Sequence, residues 1–282
     1  MMTLQDLNQL SKAEAKALLS TCCGSAKWVK AMLNAMPFKD EYNLVKTADE
    51  TWYNKCGEKD WREAFDHHPK IGGKAKPGEK LAAAEQSSVA SATQVVKNRL
   101  AAKNKVYEKQ YGFIFIVCAT GRSAEEMLQL LELRLRNGKD EELHIAMNEQ
   151  QKITLIRLKK MLPGASWQTL PASQLTTHVL DTGFGRPALL MPVSLQCFVK
   201  GNWRSIAQGI TNADGRIGDL LPALHRLKGT YKMLFDTGAY FAVKQIQGFY
   251  PKVEIQFTIT DTSHHHIPLL ISPFGFTTYR GS

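Results

Sequence analysis

Val253-Glu-Ile-Gln-Phe-Thr-Ile-Thr260 alternates apolar and polar side chains, which is the pattern of a β-strand with one buried face. Val193-Ser-Leu-Gln-Cys-Phe-Val199 repeats this pattern. Turn signals containing glycine occur at Asp181-Thr-Gly183, Asp214-Gly215 and Asp236-Thr-Gly238. Short strands cut by such turns are typical of a β-sandwich. We therefore predict an all-β region from residue 175 onward, with one short helix over residues 220–227.

Helix signals dominate the first half of the chain. Ser11-Lys-Ala-Glu14 and Ser123-Ala-Glu-Glu126 are capping boxes, in which serine and glutamate satisfy the first amide groups of a helix reciprocally. Residues 150–162 carry an apolar face at helical spacing and end before Pro163-Gly164. The predicted fold class is multidomain α and β. It comprises an all-α domain over residues 1–165, a linker over 166–171 and a β-sandwich over 172–282.

The composition of the chain limits the functions that it can have. The 282 residues carry a net charge of +10, but lysine and arginine are spread along the chain, and no basic run is interleaved with aromatic residues. This distribution disfavours nucleic-acid binding and favours small anionic substrates. We find neither a membrane-span pattern nor a signal-peptide pattern. Five cysteines without CxxC spacing indicate reduced thiols. A cytoplasmic location is expected, with the peroxisome as the alternative.

Three histidine and arginine clusters in the β region can support chemistry. They are Thr176-Thr-His178, Asn212-Ala-Asp-Gly-Arg216 and His264-His-His266. Histidine titrates near neutral pH and arginine offers a planar fork, so the set can move protons and hold a carbonyl or an electron-rich ring.

Two other interpretations of the terminal histidines stay open, namely exposed strand residues and a zinc site. Strand alternation places His264 and His266 on one face and His265 on the other. Because no cysteine or acidic cluster beyond Asp261 lies nearby in the sequence, zinc is disfavoured and no metal or other cofactor is expected.

Residues 172–282 resemble the transthyretin-related 5-hydroxyisourate hydrolases. The resemblance rests on the three histidine and arginine clusters together with Phe249-Tyr-Pro251 and the terminal Tyr-Arg-Gly-Ser. The resemblance implies a homotetramer with its site at a subunit interface, and catalysis by His178, Arg216 and His266. The substrate-binding residues that it implies are His264, Tyr279, Arg280, Gly281 and Ser282. His265 departs from the family, which usually has an aromatic residue at this position.

A second resemblance covers residues 1–165. It rests on Phe65-Asp-His-His68-Pro-Lys-Ile-Gly72, Glu85-Gln86, Tyr111-Gly-Phe-Ile-Phe-Ile-Val-Cys-Ala-Thr-Gly-Arg-Ser123 and Lys152-Ile-Thr-Leu-Ile-Arg157-Leu. These residues resemble the decarboxylases of 2-oxo-4-hydroxy-4-carboxy-5-ureidoimidazoline (OHCU). The resemblance implies catalysis by His68 and Glu85, and substrate binding by Pro69, Gln86 and Arg157.

Taken alone, the residues of the helical domain have simpler interpretations. His68 would be a histidine satisfied at a helix end, as is expected of His67, and Glu85 and Arg157 would be helix-surface charges.

The two families act consecutively, so their fusion implies an enzyme that converts 5-hydroxyisourate through OHCU to S-allantoin. Its partners would be these small molecules, with no nucleic acid or membrane, and a dimer of the helical domain is left open. A transthyretin-like binding protein and a signalling scaffold are the alternatives from other classes.

Overall fold

The computed structural model describes residues 1–69, 92–167, 170 and 172–281. The part before residue 168 is helical. Its elements are α1 (Leu4–Gln9), α2 (Lys12–Cys22), α3 (Ala26–Ala35), α4 (Glu41–Glu50), a π-helical turn (Thr51–Lys55), α5 (Glu58–Asp66), α6 (Gln94–Tyr111), α7 (Ala124–Arg134) and α8 (Lys139–Met161). The capping boxes predicted at Ser11 and Ser123 are confirmed, since each serine accepts from the amide of the glutamate three residues on.

Helix α8 is longer than the apolar pattern over residues 150–162 indicates, and it is buried on more than one face. Lys152 and Arg157, which separate its apolar residues in the sequence, are only 6% and 7% exposed. Lys152 pairs with Glu149 at 2.5 Å between Nζ and Oε1. The tertiary packing around α8 thus surrounds its charged residues, which a single helical face cannot reveal.

The C-terminal part forms two sheets and contains one described helix. The strands are β1 (Leu175–Asp181), β2 (Arg186–Pro187), β3 (Pro192–Val199), β4 (Asn202–Ile210), β5 (Arg216–Ile217), β6 (Gly229–Phe235), β7 (Val253–Ile259), β8 (His265–Ser272) and β9 (Gly275–Thr278). One sheet has the order β2-β1-β8-β9 with β5 also on β1, and the other has the order β4-β3-β6-β7. Strands β1 and β8 are parallel, and the other pairs are antiparallel.

A single apolar cluster fills the sandwich. Val179 and Leu269 from one sheet and Leu195 and Met233 from the other belong to it and are fully buried. This arrangement confirms the predicted fold class of a helical N-terminal region followed by a β-sandwich.

Two local predictions within the sandwich are wrong. Residues 220–227 form bends and one turn rather than a helix, since Pro222 disfavours helical backbone at the residue before it, and its carbonyl accepts a turn hydrogen bond from the amide of His225. Asp236-Thr-Gly238 is the start of a helix rather than a turn, since Asp236 accepts from the amide of Ala239 and caps α9 (Thr237–Val243).

The described contacts divide the chain into two compact units. One comprises Met1–Thr120 with Ala146–Pro171, and the other comprises Gly121–Ile145 with Ala172–Ser282. Within the second unit, the side-chain amides of Asn137 and Gln208 exchange two hydrogen bonds of 3.1 and 3.0 Å. The Arg122 guanidinium pairs with Asp219 at 2.9 Å in the same unit. In the portion that the structure describes, no helix has the length and apolar character needed to cross a membrane.

Candidate active sites

The first site lies on the outer face of β1. Burial alternates along this strand, so that Leu175, Thr177 and Val179 face the core while Thr176 and His178 are partly exposed. Strand β5 places Arg216 directly opposite His178, with their Cα atoms paired across the antiparallel ladder. The structure therefore brings together two of the three residues predicted to be catalytic in the β-sandwich.

The turn before β5 explains this placement. Oδ1 of Asn212 accepts from the amides of Asp214 and Arg216 at 3.1 and 2.9 Å, which closes the loop on itself. Gly215 has a φ of +71°, and a Cβ there would lie 2.3 Å from the carbonyl oxygen of Val179. Only glycine fits this turn without strain, so the Asn-x-Asp-Gly-Arg motif is a device that fixes the start of β5 against β1.

Histidine 266 reaches the same face from the neighbouring strand β8. It is the register partner of Thr176 on β1. The Thr176 hydroxyl lies 2.8 Å from Nδ1 of His266 and 2.9 Å from Nε2 of His264. His265 contacts the backbone carbonyl of Ser263 instead, with Nδ1 at 2.8 Å. His264 and His266 thus share one hydroxyl, as strand alternation predicts, and His265 does not.

The histidines of this site favour the neutral form. Burial and the Arg216 cation lower the pKa of His178 below its usual value, although nearby Asp214 opposes this effect. Burial, Arg216, His178 and His264 lower the pKa of His266. A neutral imidazole beside a guanidinium can accept a proton while the cation stabilises a developing negative charge.

The C-terminal segment runs back over this site. The amide of Gly281 donates to the carbonyl of His266 at 3.2 Å, and a Cβ at Gly281 would lie 2.6 Å from Cδ2 of that ring. Tyr279 and Arg280 are exposed. The site prediction for Ser282 lies outside the described residues. The glycine of the terminal motif is therefore required for the close approach to His266.

The second site lies in the helical unit, just after α5. His67 ends this helix and donates from Nδ1 to the carbonyl of Glu63 at 2.8 Å, which confirms its prediction as a helix-end residue. His68 is partly buried and turns toward α8 instead. Its Nε2 lies 2.7 Å from Oε1 of Gln150, and its Nδ1 lies 3.4 Å from Nη2 of Arg157. Arg157 also donates to the carbonyl of Thr21 at 3.3 Å.

Burial, followed by the Arg157 cation, lowers the pKa of His68 to about 3. The ring is therefore neutral near pH 7 and is held beside a buried positive charge. The structure brings His68 and Arg157 together, with Pro69 following His68 in the chain. The predictions for Glu85 and Gln86 lie outside the described residues.

Two residues at these sites have no role in the sequence-based prediction. Thr176 bridges two histidines, and Gln150 contacts His68. Gln150 precedes Arg157 by seven residues, which is two helical turns, so both lie on the same side of α8. The spacing relates Gln150 to Arg157, but it does not predict the contact of Gln150 with His68. In the described residues, no group of three or more histidine, cysteine or acidic side chains is placed to hold a metal ion.

Comparisons with known proteins agree with this two-part organisation. The OHCU decarboxylase family model matches residues 8–159, and the HIUase/transthyretin family model matches residues 175–281. The uric acid degradation bifunctional protein TTL of Arabidopsis thaliana is 34% identical over 93% of this chain and 96% of its own length. The chain belongs to this bifunctional OHCU decarboxylase and HIUase/transthyretin family.

Relatives of one domain only are also found. The 5-hydroxyisourate hydrolase of Mus musculus is 46% identical over 39% of this chain and 97% of its own length.

A crystal structure of (S)-allantoin synthase covers 100% of both chains at 26% identity with a TM-score of 0.47. Because this score is low, the assignment rests on the sequence comparisons. They confirm the predicted bifunctional enzyme of urate degradation, with a decarboxylase domain followed by a hydrolase domain.

Proposed function

We propose that the sandwich site hydrolyses 5-hydroxyisourate and that the helical site decarboxylates the product, OHCU, to S-allantoin, both without a cofactor. The observation that carries the first assignment is the pairing of His178 with Arg216 beside His266. The observation that carries the second is the neutral His68 beside the buried Arg157.

At the sandwich site, a neutral histidine accepts a proton from water as the oxygen attacks a ring carbonyl carbon. The ring carbon–nitrogen bond then breaks, and the departing nitrogen receives a proton from the imidazolium. Arg216 stabilises the negative charge that develops on the carbonyl oxygen. His178 and His266 perform the proton transfers, and His264 with Tyr279, Arg280, Gly281 and Ser282 binds the substrate.

At the helical site, carbon dioxide leaves and its bonding electron pair stays on the imidazoline ring. A proton must then be added to a carbon of this ring, and the face of the ring that receives it determines the handedness of allantoin. His68 handles the proton and Arg157 binds the carboxylate or ureido oxygens through its fork. From the motif alone we assign a catalytic role to Glu85 and substrate contacts to Pro69 and Gln86.

We further propose that the chain is a homotetramer assembled through the sandwich. Strands β7 and β9 end the two sheets in the described part of the chain. Phe276 within β9 is 41% exposed, and Phe274 just before β9 and Phe249 before β7 are 75% and 69% exposed. Aromatic side chains next to sheet edges are typical of an interface between copies. Sedimentation of the full chain tests this, and a monomer at micromolar concentration would contradict it.

The two activities are tested by variants of one site at a time. We expect His68→Ala to retain ring opening and lose stereospecific decarboxylation, and His178→Ala or Arg216→Ala to do the reverse. Fresh 5-hydroxyisourate is followed by ultraviolet absorbance and circular dichroism together. If one substitution abolished both activities in a folded protein, the assignment of two separate sites would be wrong.

A further inference from the structure

The imidazole of His68 makes two unequal contacts with α8. Nε2 lies 2.7 Å from Oε1 of Gln150, whereas Nδ1 lies 3.4 Å from Nη2 of Arg157. The first distance is that of a good hydrogen bond, and the second exceeds the usual range for an N–H donor. Nε2 is therefore held by its hydrogen bond to Gln150, whereas Nδ1 can exchange its weak contact with Arg157 for another partner.

The Arg157 guanidinium favours one of the two neutral tautomers of His68. A guanidinium only donates hydrogen bonds, so the ring nitrogen facing Arg157 must present its lone pair. A neutral imidazole has one N–H group, which then lies on Nε2. This N–H group donates to Oε1 of Gln150.

The orientation of the Gln150 amide leads to the same tautomer by an independent route. Its Nε2 lies 3.2 Å from Oγ1 of Thr154, and the Thr154 hydroxyl donates to the backbone carbonyl of Gln150 at 3.0 Å. Since the hydroxyl proton is used there, Oγ1 can only accept from the amide. The NH₂ group of Gln150 therefore faces Thr154, and its oxygen faces His68.

We propose that Gln150 is a positioning residue for decarboxylation, which holds neutral His68 with its proton on Nε2 and leaves Nδ1 as the atom that exchanges a proton with the substrate. This inference rests on the decarboxylation proposed for His68. The side chain of Gln150 is fully buried, as is that of Thr154, so the contact is fixed within the helical unit.

The location of Nδ1 also defines what the substrate must present. A substrate group that replaces the contact between Nδ1 of His68 and Arg157 can bind to both the lone pair of Nδ1 and the guanidinium. A hydroxyl next to a carboxylate fits both, because the hydroxyl can donate to Nδ1 while the carboxylate accepts from Arg157. OHCU, the substrate proposed above, carries a hydroxyl and a carboxyl group on the same ring carbon.

Substitutions at Gln150 show whether its side chain positions His68 by a hydrogen bond or only packs in the interior of the helical unit. Gln150→Leu removes the acceptor, and we expect kcat for decarboxylation to fall about 10- to 100-fold, which is the scale of misplacing a catalytic group, with little change in KM. Gln150→Glu restores an acceptor for the N–H group, so we expect kcat to recover most of this loss.

Gln150→Glu also introduces a negative charge beside the ring, which favours the imidazolium. The acidic limb of the pH profile should therefore move to higher pH. Arg157 and His67 are the other described charged or titratable groups that act on His68, and neither is changed in these variants.

The neighbouring residue supplies a matched control. Gln151 is also fully buried on α8, but its amide donates to Asp49 at 3.3 Å rather than contacting His68. Gln151→Leu should keep the decarboxylase pH profile and KM of the parent chain. Equal losses of kcat in both leucine variants, or no recovery and no pH shift in Gln150→Glu, would overturn the positioning role.

A spectroscopic measurement tests the tautomer without relying on activity. The full chain is labelled with ¹⁵N-histidine, and the His68 signals are assigned by their loss in His68→Gln. We expect a protonated Nε2 and an unprotonated Nδ1 at pH 7.5, and a mixture of tautomers in Gln150→Leu. A proton on Nδ1 in the parent chain would refute the inference. Absence of decarboxylation with the expected tautomer would instead refute the proposed function.

Discussion

Arg216 lies directly opposite His178, and their backbones are paired across strands β5 and β1. The pairing keeps a permanent cation beside an imidazole, which lowers the pKa of that imidazole in addition to the effect of burial.

The first prediction concerns this cation. Replacing Arg216 by Gln removes positive charge, so the pKa of both His178 and His266 should rise. Histidine titration by NMR checks the direction. We also expect kcat/KM for ring opening to fall at least about 100-fold, because the stabilising charge at the developing oxyanion is lost. An unchanged titration curve for His178 would show that Arg216 does not contribute to its lowered pKa.

The second prediction concerns the glycine next to His266. A Cβ in Gly281→Ala would lie 2.6 Å from Cδ2 of the ring, so the imidazole or the terminal segment must move. Ring opening should fall about 10- to 100-fold, as expected when a catalytic group is displaced, while decarboxylation is unchanged. Gly275→Ala is the control, since a Cβ there meets only Ser272 Oγ at 3.5 Å. Equal effects of the two substitutions would contradict the steric explanation.

The third prediction concerns the hydroxyl shared by two histidines. Thr176→Val keeps the shape of the side chain but removes the hydrogen bonds to His264 and His266. We expect kcat for ring opening to decrease about 10-fold because His266 loses its fixed orientation. Thr176→Ser retains the hydroxyl and should remain near the parent rate. Steady-state absorbance assays with fresh substrate measure both, and equal rates in the two variants would exclude a role for the hydroxyl.

The fourth prediction concerns pH and stability. Burial and Arg157 hold the pKa of His68 at about 3 in the folded chain, whereas the unfolded chain has the ordinary value near 6.5. Between these values the unfolded chain binds more protons, so the free energy of unfolding falls as pH is lowered. The stabilisation is fully present above about pH 6.5 and is lost at up to about 1.4 kcal/mol per pH unit below it.

Urea unfolding of the full chain and of His68→Gln at pH 7.5, 6 and 5 measures this dependence. The stability of the parent relative to the variant should decline toward low pH. His225 also has a lowered pKa of about 4, but it is present in both proteins, so its contribution cancels in the difference. A difference that did not change with pH would mean that His68 is protonated in the folded chain at its ordinary pKa.

The fifth prediction concerns a buried ion pair. Nη2 of Arg134 lies 2.6 Å from Oε1 of Glu142, and the two side chains are 1% and 0% exposed. Arg134→Met leaves a carboxylate buried without this cation, which should lower the free energy of unfolding by about 3–5 kcal/mol. Lys46→Met breaks the exposed Lys46–Glu50 pair and should change it by less than about 1 kcal/mol. Urea denaturation compares the two, and equal losses would refute the burial argument.

Local signals explain which elements could be predicted. The capping boxes at Ser11 and Ser123 involve contacts only three residues apart, so the sequence contains the whole interaction. Asp236-Thr-Gly238 is compatible with both a turn and a helix start. Burial of Tyr240 and Phe241 in the sandwich core accompanies the helical outcome, and this depends on distant residues.

The same distinction holds for the sites. Arg216 and His178 could be predicted as partners from motifs, but their register depends on how Gly215 approaches Val179. Gln150 lies in a helix whose central residues are buried around more than one face, so no amphipathic pattern marks it as different from Gln151. Its contact with His68 spans 82 residues and arises only from tertiary packing.

Residues Gly121–Ile145 match the decarboxylase family by sequence, yet they group with the sandwich in the folded chain. The amide pair of Asn137 with Gln208 is one of the contacts involved. Dividing the chain between the two matched regions would therefore split a compact unit. Each fragment would expose one of the two side-chain amides that form hydrogen bonds with each other in the intact chain. Moving the hydrolase domain of this chain into another relative would therefore break the pair between Gln208 and Asn137, unless the new chain carries an amide side chain at the position of Asn137.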